Sequence, residues 1–296
     1  MRCINDGLLK PFRFATRSIH AQHEDKLNPL LIVDAQNNNV LHALFSSSKP
    51  NPSILEHIVS NSGESFTNLM ASKNALGCTP VWIAVAYGNH AMLPATVSPA
   101  TLTECNSSGD SPLLACVSKA NLGALQYIKE KLSHAQFEVE CAKPNKSGST
   151  PLFVCLSASS APVLEFLLPL FPASSFSAKN TMGLTPLHVA AERGFLSGVE
   201  ACLSRSAPVD AVDRNGATAL HVAAFVGDLP CAEALLGAGA RDVKDERGRG
   251  ALFVAKVRGE GACADLLEGR GWRLGKAEVD DFEKMTAKSS EPPGKN

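Results

Sequence analysis

Aromatic residues are scarce, only 6% of the 296-residue chain, with two tryptophans and two tyrosines. Its core must therefore be built from Leu, Val, Ala and Cys, which favours close packing of small-residue helices over a β-sandwich. The chain also lacks an excess of either charge, since Lys+Arg is 28 and Asp+Glu is 29, for a formal net charge of -1. It has no general attraction for phosphate backbones or anionic lipid, and nucleic acid is not an expected partner. No C-x-x-C occurs, and the nine cysteines are odd in number and scattered. That pattern argues against a zinc ribbon, a zinc finger or a disulfide framework, and it fits a reducing compartment. A long clean apolar run is missing too: the nearly uncharged stretch 152–173 is broken by Pro162, Glu165, Pro169 and Pro172, so no membrane insertion is expected. Between Arg17 and Arg193 there is no arginine at all.

What the sequence does contain is an internal period. Asn or Asp, two residues, Gly, one residue and Thr/Ser-Pro appear at Asn74, Gly77 and Thr79-Pro80, and again at Asn106, Gly109 and Ser111-Pro112. The same pattern returns at Asn145, Gly148 and Thr150-Pro151, then at Asn180, Gly183 and Thr185-Pro186. Two later copies lack the proline: Asp213, Gly216, Thr218-Ala219 and Asp245, Gly248, Gly250-Ala251. The six glycines are 32, 39, 35, 33 and 32 residues apart. Each part has a physical task. The Asn or Asp accepts from backbone two residues on, Gly permits positive φ, and Thr/Ser-Pro is an N-cap followed by a proline in the first helical turn. Small residues follow, then Gly88, Gly194, Gly227 or Gly259 as a helix stop, then a second apolar run. The unit is helix, tight turn, helix, extended hairpin.

The runs Gly183 to Gly194 and Gly216 to Gly227, with Gly239-Ala240 in the closing loop, resemble ankyrin repeats. The resemblance covers about residues 34 to 272 and includes a degenerate first unit from Asp34 through His42 to Phe45, with Ile54 to Val59 as its second helix. It implies an all-α solenoid of seven stacked helix pairs joined by short β-hairpin loops. The last unit, with Gly250 in place of Thr and Lys256 in place of a small Ala, resembles a polar capping repeat. The longer spacings predict insertions around Ser133 to Phe137 and Phe171 to Ser175, and Pro94 shortens the second helix of the second unit. Residues 1–26 are expected to be an N-terminal capping or targeting segment, 27–274 the repeat array, and 275–296 a disordered C-terminal tail.

His188 and His221 are the tempting catalytic candidates, identically placed 33 residues apart. The resemblance implies instead that each, with the Thr three residues earlier, ties adjacent hairpin turns together. His42 takes that slot in the first unit, and Trp82, Leu114, Phe153 and Phe253 take it elsewhere; a catalytic position would not tolerate Trp or Phe. Cys116 and Cys155 fall where other units have Ala, as small hydrophobes. There is no P-loop, G-x-S-x-G, H-E-x-x-H or paired-carboxylate constellation. No enzymatic activity, cofactor, metal or small-molecule substrate is expected.

The resemblance further implies a concave groove whose contact positions follow the Asn/Asp, the Gly and the Ala-Ala slot. The candidate partner-binding residues are Leu76, Tyr87, Met182, Leu184, Glu192, Arg193, Arg214, Phe225 and Val226. Met182, Leu184, Phe225 and Val226 are apolar where solvent is expected, the mark of an interaction site. A non-enzymatic adaptor or scaffold in the cytoplasm, binding a protein partner, is the function these residues point to. The alternatives are a structural subunit of a larger, possibly mitochondrial, assembly and a regulator acting on an enzyme in trans.

Overall fold

The computed structural model describes residues 33–62, 65–93 and 97–289. The capping or targeting segment at 1–26, Pro94 and the end of the tail with Pro292, Pro293 and Gly294 lie outside them. Every regular element among the described residues is helical. The chain divides into two compact units, with the boundary between Ser147 and Gly148.

In the first unit α1 (Val40–Phe45), α4 (Pro80–Ala86) and α5 (Pro112–Ser118) pack side by side in that order. Each begins where a cap satisfies its first N–H groups. The Asn39 side chain accepts from the Leu41 and His42 amides, Thr79 from the Trp82 amide and Ser111 from the Leu114 amide. The elements between them are irregular. Helix α2 (Pro52–Ser62) contains the expected run, but a further helix, α3 (Ser65–Ala71), follows it. Among the described residues the second unit of the pattern has no second α-helix: a 3-10 turn, His90–Met92, stands there, and another follows at Pro99–Leu102. Seven full helix pairs are therefore not present among the described residues. Helix α6 (Leu122–Lys131) packs on α5, and the expected insertion is a complete helix, α7 (His134–Ala142), started by a reciprocal Ser133–Gln136 capping box.

The second unit is more regular. Its first layer is α8 (Pro151–Ala158), α10 (Pro186–Glu192), α12 (Ala219–Val226) and α14 (Ala251–Arg258), each packed on the next. Its second layer is α9 (Ala161–Leu167), α11 (Leu196–Ser204), α13 (Leu229–Gly237) and α15 (Gly261–Gly269). The core repeats like the sequence: Leu152, Leu187, Leu220 and Leu252 are all at most 2% exposed, and Cys155, Ala190, Ala223 and Ala255 are fully buried behind them. At the second expected insertion stand two 3-10 turns, Leu168–Leu170 and Ala173–Phe176, with Phe176 buried edge-on to Phe171.

The hairpin loops form no strands among the described residues. Each is a turn held by its first residue. Asn180 Oδ1 accepts from the Met182 and Leu184 amides, and Asp213 Oδ1 from the Asn215 and Ala217 amides. One backbone bond joins each turn to the next, Arg214 N to Met182 O and Glu246 N to Asn215 O. A single such bond per pair is too little for a ladder. The turns also come too close for side chains: a Cβ on Gly216, whose φ is +77°, would lie 2.7 Å from the Glu246 nitrogen.

The tail expected to be disordered from Gly275 forms helix α16 (Lys276–Ser289), which packs on α14. Glu278 is its anchor and is only 5% exposed. It accepts from the Gly250 amide at 2.7 Å, from the Gly275 amide at 2.8 Å and from Lys244 Nζ. Burial alone would raise the Glu278 carboxyl, but the two amides and the Lys244 ammonium hold it below its ordinary value. Composition suggested a solvated tail because this one buried carboxylate cannot be told from its charged neighbours in sequence.

Candidate functional site

The two candidate histidines are fully engaged. Each closes a reciprocal capping box, so that the Thr185 amide donates to His188 Nδ1 and the Thr218 amide donates to His221 Nδ1. With Nδ1 accepting, Nε2 carries the proton and donates forward, from His188 to the Ala217 carbonyl at 2.9 Å and from His221 to the Arg249 carbonyl at 3.0 Å. His42 Nε2 meets the Cys78 carbonyl in the same way. Burial lowers the pKa of His188 and of His221, although the carbonyl bond of each opposes it. Neutral rings with both nitrogens occupied do not offer a general base. Burial also disarms the thiols, pushing Cys155 and Cys202 up to about 12. Among the described residues, no group of three or more His, Cys, Asp or Glu is placed to hold a metal ion. Nor is any described helix long and apolar enough to cross a membrane.

The other occupants of the histidine slot separate its two tasks. Trp82 donates its indole N–H to the Asp110 carbonyl at 2.9 Å, so the forward bond survives without an imidazole. Phe153 can make neither bond, and the buried Thr150 hydroxyl beside it has no hydrogen-bond partner. Phe253 likewise cannot receive the Gly250 amide, and Glu278 takes it instead.

A sequence model of the family described as ankyrin repeats, in three copies, matches residues 163–247. The match spans 85 of the 296 residues, and that stretch is similar to ankyrin repeats. No curated protein matches the chain at significance. Ankyrin repeats are in general protein–protein interaction modules and typically non-catalytic, which directs attention to the surface.

The exposed face of the first-layer helices in the second unit holds a cavity of about 540 Å³ between α10, α12 and α14. Leu184, Val222, Phe225, Val226 and Val254 supply its apolar lining, and Glu192 and Arg249 stand among them. A smaller cavity of about 220 Å³ adjoins it, sharing Leu184 and Glu192 and adding Met182 and Phe153. Met182 is 58% exposed, Phe225 50% and Val226 43%. Leu184, expected to face solvent freely, is instead half-buried, because it lies between the two cavities and gives its carbonyl to the Asn180 amide.

The remaining candidates distribute around this cluster. Arg193 and Arg214 are exposed but line neither cavity; Arg193 reaches the Ser157 hydroxyl at 3.3 Å. Leu76 and Tyr87 are well exposed but belong to the first unit. Sequence reasoning missed Val222 and Val254, while Arg249 falls at one of the contact positions that the resemblance implies. Val222 precedes Phe225 and Val226 by three and four residues, so the helical period itself places the three on one face. Arg258 also falls at an implied contact position, the second residue after the Ala-Ala slot of the last unit, but no sequence signal announces its role. Its guanidinium carbon sits 4.3 Å from the centre of the Phe225 ring, a cation–π contact that holds the ring in place. Asp245 illustrates the local electrostatics: burial would raise its carboxyl, but Arg249 and the Arg247 and Arg249 amides bring it below the ordinary value.

Proposed function

We propose that the chain is a non-enzymatic adaptor or scaffold that docks a protein partner on this face of the second unit, with Phe225 as the principal anchor. The observation that carries the reading is the half-exposed Phe225 ring, held by Arg258 at the edge of a 540 Å³ apolar cavity. An aromatic side chain that fills no core position, fixed beside an apolar hollow, matches the anatomy of an interface hot spot. Met182, Leu184 and Val226 extend the apolar surface, and Glu192, Arg193 and Arg214 give it a charged rim. Leu76 and Tyr87 are proposed contacts of the first unit.

The test is quantitative affinity capture from native extract, with the wild-type chain and the Phe225→Ala/Met182→Ala double variant at matched folded concentration. The variant should lose a stoichiometric partner at least ~100-fold, at ~1.4 kcal/mol per decade, with its melting temperature nearly unchanged. Recovery of every bound protein in equal yield would place the docking surface elsewhere.

A further inference from the structure

The docking face is positive although the chain as a whole is not. Arg193, Arg214, Arg247 and Arg258 are all exposed, and none of them forms an ion pair among the described residues. Two of them, Arg214 and Arg247, sit on the turns that the backbone bonds Arg214 N to Met182 O and Glu246 N to Asn215 O join in a row. The other two stand at the far ends of helices in the first layer: Arg193 is the residue that closes α10, and Arg258 is the last of α14. The hollow lined by Phe225 and Val222 lies on α12, between those helices. Arg249, also at the hollow, is already neutralised, its guanidinium bonding Asp245 at 2.6 and 2.9 Å.

Resting on the docking reading above, we infer that the partner is a protein segment carrying one apolar or aromatic anchor flanked by carboxylates. The anchor enters the hollow beside Phe225. Acidic side chains on either flank meet the turn arginines on one side and the helix-end arginines on the other, where guanidinium groups give paired hydrogen bonds to carboxylates. Complementary charge of this kind chiefly sets partner choice and association rate. A polynucleotide fits less well. Glu192 at the hollow and Glu246 on the third turn stand against evenly spaced phosphates, whereas a peptide places carboxylates only where arginines wait.

The experiment is selection of a displayed random-peptide library on the full chain, followed by fluorescence polarisation with the enriched peptides. Enriched sequences are expected to pair a Leu, Phe or Trp with two or more Asp or Glu. Their binding should weaken about tenfold or more with Arg214→Glu/Arg247→Glu, whose side chains are exposed and form no ion pair among the described residues, and should fall as salt rises to ~0.3 M. Apolar or basic peptides that lose affinity with Phe225→Ala but ignore the arginine reversals would overturn the acidic partner while leaving the docking face standing. Peptides indifferent to both variants would overturn the docking face as well. A single-stranded oligonucleotide that binds more tightly than every acidic peptide would overturn the proposal in favour of nucleic acid.

Discussion

The two units share the same turns and differ in what hangs behind them. In both, an Asn or Asp bends the loop, a glycine with positive φ follows, and a capped helix starts at once. Behind that layer, the first unit has an extra helix after α2, a single 3-10 turn at His90–Met92 and another extra helix after α6, while the second keeps α9, α11, α13 and α15 in register. Register is therefore set by the turn and first helix, where side chain and backbone wire one copy to the next. The second layer contributes mostly non-directional apolar burial, which tolerates changes of length and shape.

Variants that cut or add wires test this comparison. The largest effect is expected from Glu278→Ala, which strips the Gly250 and Gly275 amides and Lys244 of their shared acceptor. Unsatisfied buried donors of this kind cost about 2 to 3 kcal/mol together. Hydrogen exchange should show the loss confined to α14 and α16, and equal protection in both proteins would mean that α16 contributes nothing to the end of the stack. His221→Ala removes the cap bond and the forward bond to Arg249, about 1 to 2 kcal/mol in chemical denaturation. An unchanged midpoint would show that the imidazole does not tie the turns.

His188 and His221 give the wild type an acid-sensitive stability. Their folded pKa values lie below the ordinary 6.5, so the unfolded chain takes up protons that the folded one refuses. Their contribution is fully present above about pH 6.5 and is lost as the pH falls below that toward the lowered native values. Replacing both by Gln should flatten the dependence of the denaturation midpoint on pH over that window. The smallest change is a gain. Phe153→His restores a partner for the Thr150 hydroxyl and a donor for the Leu184 carbonyl, and should add about 0.5 to 1 kcal/mol. A loss would mean that the buried phenyl ring is worth more than the wiring.

The turns and first helices were legible in sequence because their bonds are local: an Asx side chain reaches two and four residues ahead, and a cap reaches three. Met182 and Phe225 were legible as exposed because the period fixes which positions the core does not use. The Arg258 guanidinium over Phe225 was not legible, since that contact joins residues 33 apart through side-chain rotamers. Helix α16 was missed for the same reason: Glu278 earns its place from Gly250, 28 residues upstream. Helix α7 had a readable start in Ser133 and Gln136, but nothing in the repeat pattern required a helix there.

Glycine at position 250 carries a consequence for how such an array can lengthen. A Cβ there would fall 2.6 Å from both Asp242 Oδ1 and Lys244 Nζ, two side-chain ends that would have to shift, and the amide of this residue donates to Glu278 rather than to an imidazole of its own copy. The copies built on Thr185 and Thr218 are interchangeable modules, each sending its imidazole proton to whichever turn comes next. The copy built on Gly250 is a terminus by construction, wired forward to one helix alone. Duplicating the Thr185 or Thr218 copy would preserve its cap and forward bonds, whereas duplicating the Gly250 copy without α16 would strand the Gly250 amide.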